Sequence, residues 1–125
     1  MIPSNVVAQE QRVVQLDEKT LGFVAATGTD FDGLFVAVAI RGPAAASLRH
    51  LCYWFGPGGS FTGAALLNRS GGAEFQTLSG SWSLVDGSLC LAENEPARAE
   101  AAPGGWLRLS GADGSVVVLQ RAVER

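Results

Sequence analysis

A chain of 125 residues, 47% hydrophobic and 17% charged, is long enough for one buried core and too apolar for intrinsic disorder. Its apolar runs are broken by Gly, Arg and Asp before any reaches the length of a membrane span, and a net charge of -3 with Lys19 the only lysine offers no basic face to nucleic acid. The opening MIPSNVVAQEQ has no basic n-region followed by an apolar core of roughly 7–15 residues, so no secretory signal is read in it and the cytoplasm is favoured.

Residues 1–29 are expected to form a segment capping a domain made by residues 30–125. Ser4 or Asn5 suits the cap of a short helix through Val6, Val7, Val13, Val14 and Leu16, although these apolar pairs lack the i+3 and i+4 partners of a buried helical stripe. Asp17 before Glu18, with Gly28 beyond, suits one or two helical turns; Phe23, Val24 and Thr27 suit a strand equally, and the helix is the expectation. Such a segment acts either as a lid or as plain end-capping of the core, the second being favoured.

Gly33–Arg41 is the clearest strand of the first half, with Leu34, Val36, Val38 and Ile40 alternating against Phe35, Ala37, Ala39 and Arg41. Gly42-Pro43 ends it, and residues 44–49 suit one helical turn. From His50 onward, strands recur at a spacing of about ten residues, the habit of all-β sandwiches and barrels. Residues 51–55 put Leu51, Tyr53 and Phe55 on one face and Cys52 and Trp54 on the other, then turn through Gly56-Pro57-Gly58-Gly59 into residues 61–67, where Gly63 marks a bulge or a close approach. A loop over residues 68–72 leads to a strand from Phe75 through Trp82 to Val85, and Asp86-Gly87 turns it into Leu89-Cys90-Leu91.

Ala97, Ala99 and Ala101 alternate with Arg98, Glu100 and Ala102 as a short edge strand between Pro96 and Pro103. Glu93, Glu95 and Glu100 are read there as solvated charges that discourage strand addition, not as an acid/base pair. A last hairpin joins residues 106–109 to 116–119 through Ala112-Asp113-Gly114, and the chain closes at Arg121-Ala122-Val123. The fold class predicted is all-β: an antiparallel up-and-down barrel of about eight strands, with a short N-terminal helical or irregular segment. Trp82, Leu84, Leu89, Leu91, Leu107, Leu109, Val117 and Leu119 share one alternation phase and are expected to face inward; with Phe55 and Phe61 they are enough to fill the barrel.

The order of these features resembles the lipocalin-like domains of the calycin superfamily. The resemblance runs over residues 32–121 and rests on Gly33-Leu34-Phe35 opening the first strand, on the aromatic strand and glycine turn of residues 53–61, on Gly80-Ser81-Trp82-Ser83-Leu84, and on Arg121 in the closing strand. It implies an up-and-down barrel and an apolar ligand. It also implies that Phe35, standing where the family usually carries Trp, is covered by Arg121 in a cation–π contact that closes the barrel floor.

Chemistry-bearing residues are sparse. His50 is the only histidine and has no neighbouring Cys or carboxylate, Asp30 and Asp32 fall short of a calcium loop, and the glycine-rich segments are turns and not phosphate cradles, so no metal, cofactor or catalytic residue is assigned. Cys52 and Cys90 lack CxxC spacing and are read as free small hydrophobes, a cross-strand disulfide being the alternative in an exported chain. Asn68-Arg69-Ser70 matches a glycosylation sequon that the composition discounts.

Two function classes follow. The first is a non-catalytic domain that binds a small apolar ligand through Phe55, Phe61, Trp82, Leu84, Leu91 and Leu107, with Gly33, Phe35 and Arg121 structural and a mouth near Asp30 and residues 56–60 and 94–96. The second is a structural or interaction module with a filled core, homodimeric through outward Phe35, Ala37, Ala39, Trp54 and Trp106. Binding is placed ahead. An enzyme is set aside because the inward phase supplies no convergent polar groups.

Overall fold

The computed structural model describes residues 18–92 and 95–122; the helix weighed for Val6 to Leu16, the carboxylate of Glu93, Asn94 and the chain end at Val123 lie outside them. Nine strands are present among the described residues: β1 (Val24–Ala25), β2 (Gly33–Arg41), β3 (Leu48–Phe55), β4 (Ser60–Arg69), β5 (Gly72–Val85), β6 (Ser88–Leu91), β7 (Ala97–Ala102), β8 (Trp106–Ser110) and β9 (Val116–Arg121). From β2 to β9 each strand pairs antiparallel with the next, and β9 returns to β2, so eight strands close into an up-and-down barrel with β1 as an addition to β7. This is the fold class expected from the alternation. The residues that read as turns are turns: Asp86 and Gly87 sit at φ 51° and 80° between the paired Val85 and Ser88, the left-handed geometry that a two-residue hairpin demands.

Side chains at every second position meet inside. Phe35, Phe55, Leu89, Leu107 and Leu119 are the largest fully buried residues of this cluster, and Leu91 and Leu109 join them; Trp82, Leu84 and Val117 pack against it while half-buried, whereas Val118, equally buried, lies in the opposite phase and outside the cluster. Gly63 is a site of close approach and not a bulge, since the pairing of β4 runs through it unbroken while an added Cβ would stand 2.8 Å from the Cys52 carbonyl oxygen and 3.0 Å from the Tyr53 ring. Phe35 corrects an expectation. Grouped by sequence with an outward apolar set, it is 1% exposed, because β2 presents Phe35 and Ala37 to the interior before its register against β9 shifts between Ala37 and Ala39. Trp54 does remain 43% exposed on the outer face.

The N-terminal segment also departs from the helical expectation. A single 3-10 turn covers Glu18–Thr20, and the chain then extends as β1. The cause is tertiary. With only four residues, β6 covers Ala97 and Arg98 of β7 and leaves the rest of that edge open; β1 pairs there with Glu100 and Ala101, and the Ala26 N–H donates to the Ala99 carbonyl at 3.1 Å. Ladder hydrogen bonds of this kind override weak local propensity. The same pairings make β7 an interior strand, not the edge strand its prolines suggested, with Ala99 and Ala101 buried.

An ion-pair chain pins this segment to the barrel wall. The Glu18 carboxylate accepts from Arg41 at 2.7 Å and from Arg108 at 2.9 Å, Arg108 donates to Glu100 at 2.8 Å, and its guanidinium carbon lies 4.3 Å from the centre of the Phe23 ring. Hydrogen bonding to Glu100 raises the Arg108 pKa further above its ordinary value. The pairs are part-exposed, so their worth is modest beside apolar burial. Truncating the interior is the sharper test: Leu107→Ala, at a side chain 1% exposed, is expected to lower unfolding free energy by about 2–5 kcal/mol, measured by urea denaturation.

Candidate functional site

The two ends of the barrel differ because the side chains of β3 are graded, from Leu48 and Leu51 at its start to Tyr53 and Phe55 at its end. The aromatic end is closed. Thr27 caps a 3-10 turn over Gly28–Asp30, its N–H donating to the Asp30 carboxylate at 2.8 Å, and this turn delivers Phe31 into the barrel. The Phe31 ring centre lies 5.2 Å from those of both Phe55 and Trp82, while Phe55 lies 5.8 Å from Trp82 and 5.9 Å from Phe35. Several of these pairs meet edge to face, the arrangement that aromatic quadrupoles favour. Arg121 covers the group: its Nε donates to the Asp32 carbonyl at 3.0 Å, and its guanidinium carbon stands 5.0 Å from the centre of the Phe35 ring. Phe35 and Arg121 are the two residues that the resemblance pairs.

Toward the aliphatic end, the interior holds a cavity of about 220 Å³. Leu48, Leu51 and Tyr53 of β3 form one wall; Leu89, Leu91 and Ala97 face it, Leu109 and Val117 complete the ring, and Glu95 stands at its edge. The space follows from residue size. Where Phe31, Phe55 and Trp82 fill one end, the other is lined mainly by Leu side chains, by Val117 and by Ala97, whose side chain is a single methyl. Tyr53 is held between the two halves, its ring packed over Gly63 and 5.7 and 6.0 Å from Phe55 and Phe61. Its phenol is driven above the ordinary value of 10.0 by burial.

Of the residues assigned to a ligand from sequence, the structure places Leu91 on the cavity wall. Phe55, Phe61 and Leu107 are buried in the core, Trp82 belongs to the closed aromatic end, and Leu84 packs on the outside of the cluster. Asp30 and residues 56–60, expected at a mouth, lie instead at the closed end beside Phe31 and Phe55, whereas Glu95 does border the cavity. Leu89, Leu109 and Val117 carried the signal of inward phase. Leu51 and Tyr53 share the face of Phe55 in the alternation of β3, whereas for Leu48 and Ala97 only the contrast between a large residue on one strand and a small one across the barrel marks the site.

Polar chemistry at this end is thin. The phenol of Tyr53 and the carboxylate of Glu95 are its only side-chain polar groups among the described lining residues, and no cluster of three His, Cys, Asp or Glu residues that could hold a metal ion occurs among the described residues. His50 is exposed, and Cys52 and Cys90 are free thiols. No described helix is long and apolar enough to cross a membrane. Comparison with protein-family models, with curated proteins and with solved structures finds no match for the chain.

Tyr53 is the only tyrosine, which makes its ionisation a clean reporter of this wall. Because its folded pKa lies above the unfolded one, the stability it contributes is intact below the ordinary phenol value and is lost as pH rises through the folded value. Difference absorption is expected to show phenolate appearing at higher pH in the native protein than in urea; coincident curves would place the ring in solvent.

Proposed function

We propose that this barrel is a non-catalytic binding domain of lipocalin-like type that takes one small apolar molecule at its aliphatic end. The observation that carries the reading is the cavity itself, about 220 Å³ and lined almost wholly by Leu, Ala and Val side chains. Cavities of about 150 Å³ with such linings stay dry and accept benzene, and sites for drug-sized ligands begin near 300 Å³. The space therefore suits a single-ring aromatic or a short branched aliphatic chain. Glu95 at the rim disfavours an anionic end group, so the ligand is neutral or cationic. Support for the lipocalin-like element of the reading comes from the eight-strand meander and from Arg121 stacked on Phe35 across the closed end.

A single-ring ligand hides roughly 200 Å² of apolar surface, which at about 25 cal/mol per Å² gives about 5 kcal/mol. The corresponding dissociation constant is on the order of 0.1–1 mM for an unfunctionalised ring, with tighter binding for a ligand that also satisfies the Tyr53 hydroxyl. Titration with toluene or indole, followed by amide chemical shifts, is expected to move Leu51, Tyr53, Leu89 and Leu109 and to leave the strands around Phe31 unmoved. Ala97→Phe, which fills the space, is expected to abolish those shifts while the protein keeps its thermal transition; shifts that survive it, or none in the parent, would refute an internal site.

A further inference from the structure

The longest strand is half unpartnered. β5 pairs with β4 from Gly72 to Ser81 on one side, but on the other it meets β6 only from Trp82 to Val85, and one further bond, from the Ala92 N–H to the Ser81 carbonyl at 2.8 Å, ends that contact. Along residues 72–80 no strand covers this second edge among the described residues. Its hydrogen-bonding groups can be assigned. The Ser81 carbonyl points toward β6, and antiparallel ladders turn successive residues to opposite sides. The unbroken register with β4 carries that alternation back along the strand, so Ala73, Phe75, Thr77 and Ser79 aim both N–H and C=O away from β4.

Such an edge is ordinarily blunted by Lys, Pro, a bulge or a covering element. Here residues 72–80 contain no Lys, Arg or Pro, and the one charge, Glu74, is already bound to Arg69 at 2.8 Å. Beside the edge, Phe75 is 67% exposed. We propose that this edge is a self-association site, in which β5 of one copy adds antiparallel to β5 of a second copy across a two-fold axis.

The occupant follows from complementarity. An isologous antiparallel pairing sets the same four donors against the same four acceptors on both copies at once. With Phe75 opposite Thr77, the hydrogen-bonded pairs are formed by outward-aimed residues throughout, and Glu74 faces Leu78 rather than its own copy. A neutralised charge and two-fold register thus remove the repulsion that a chain of net charge -3 would otherwise meet. The added strand places the contact in the class of small, transient interfaces below about 1,200 Å², so monomer and dimer are expected to exchange.

The test uses the full chain in sedimentation and in hydrogen exchange over a hundredfold concentration range. A monomer-to-dimer transition is expected, with the amides of Ala73, Phe75, Thr77 and Ser79 protected only as the dimer forms. Thr77→Pro removes an N–H that β4 does not use, and the exposed Phe75→Lys puts a charge on the edge; each is expected to weaken the dimer at least tenfold with the thermal transition of the dilute monomer unchanged. Protection of those amides that does not vary with concentration would show that the edge is covered within one chain. A monomer at every concentration, or a dimer indifferent to both variants, would overturn the proposal, and binding of toluene or indole bears on none of these outcomes.

Discussion

Closure of the sheet between β2 and β9 is the constraint on which the structure depends. Without it the meander would have two free edges and no inside, and Phe35, Leu107 and Leu119 would lose the opposite wall they pack against. The joint is reinforced at its end. Arg121 is the last residue of the β9 ladder, opposite Phe35, and the same residue spreads its guanidinium over that ring and donates to the loop carbonyl of Asp32. One side chain thereby fastens the first and last barrel strands and the plug that carries Phe31. Loss of either guanidinium contact loosens the other, since both share a single orientation of the side chain.

Unequal strand lengths account for much of what surrounds that joint. A barrel strand of fourteen residues followed by one of four cannot be matched along its length. The deficit appears on both neighbours of β6: on β7, where β1 enters to satisfy the orphaned backbone groups, and on β5, where nothing described does. A ninth strand and an uncovered edge are thus two consequences of one short strand.

Hairpins and their inward phase were legible because each depends on neighbours in sequence. Asp86-Gly87 supplies the turn geometry by itself, and the alternation of Leu89 and Leu91 or Leu107 and Leu109 needs only a period of two to assign a face. The features that escaped depend on distant partners. β1 has two residues, too few to show any period, and forms because β7 has an open edge some seventy residues later in the chain. Both faces of β2 are apolar, so its alternation could not say which was interior until its register against β3 and β9 fixed Phe35 inside. β5 begins at Gly72, ahead of the strand expected from Phe75, because its first residues pair with β4 while Glu74 and Gln76, on the face that continues Leu78, give no apolar alternation to mark them. A cavity is the least legible of all, being set by how Ala97 and Tyr53 sum across the barrel and by no residue alone.

Size complementarity also bears on why the aliphatic end is left unfilled. Unfilled apolar space forgoes the packing contacts that a filled core makes, and this wall offers entering water little beyond Tyr53 and Glu95. Filling the void requires no change of fold: Ala97 lines it together with Leu51 and Leu109, and one larger side chain at that position occupies much of the volume. Meanwhile the opposite end is packed with Phe31, Phe35, Phe55 and Trp82, so the chain is able to build a dense interior. An end so easily filled, in a barrel whose other end is full, is where the proposed apolar ligand would supply the missing contacts.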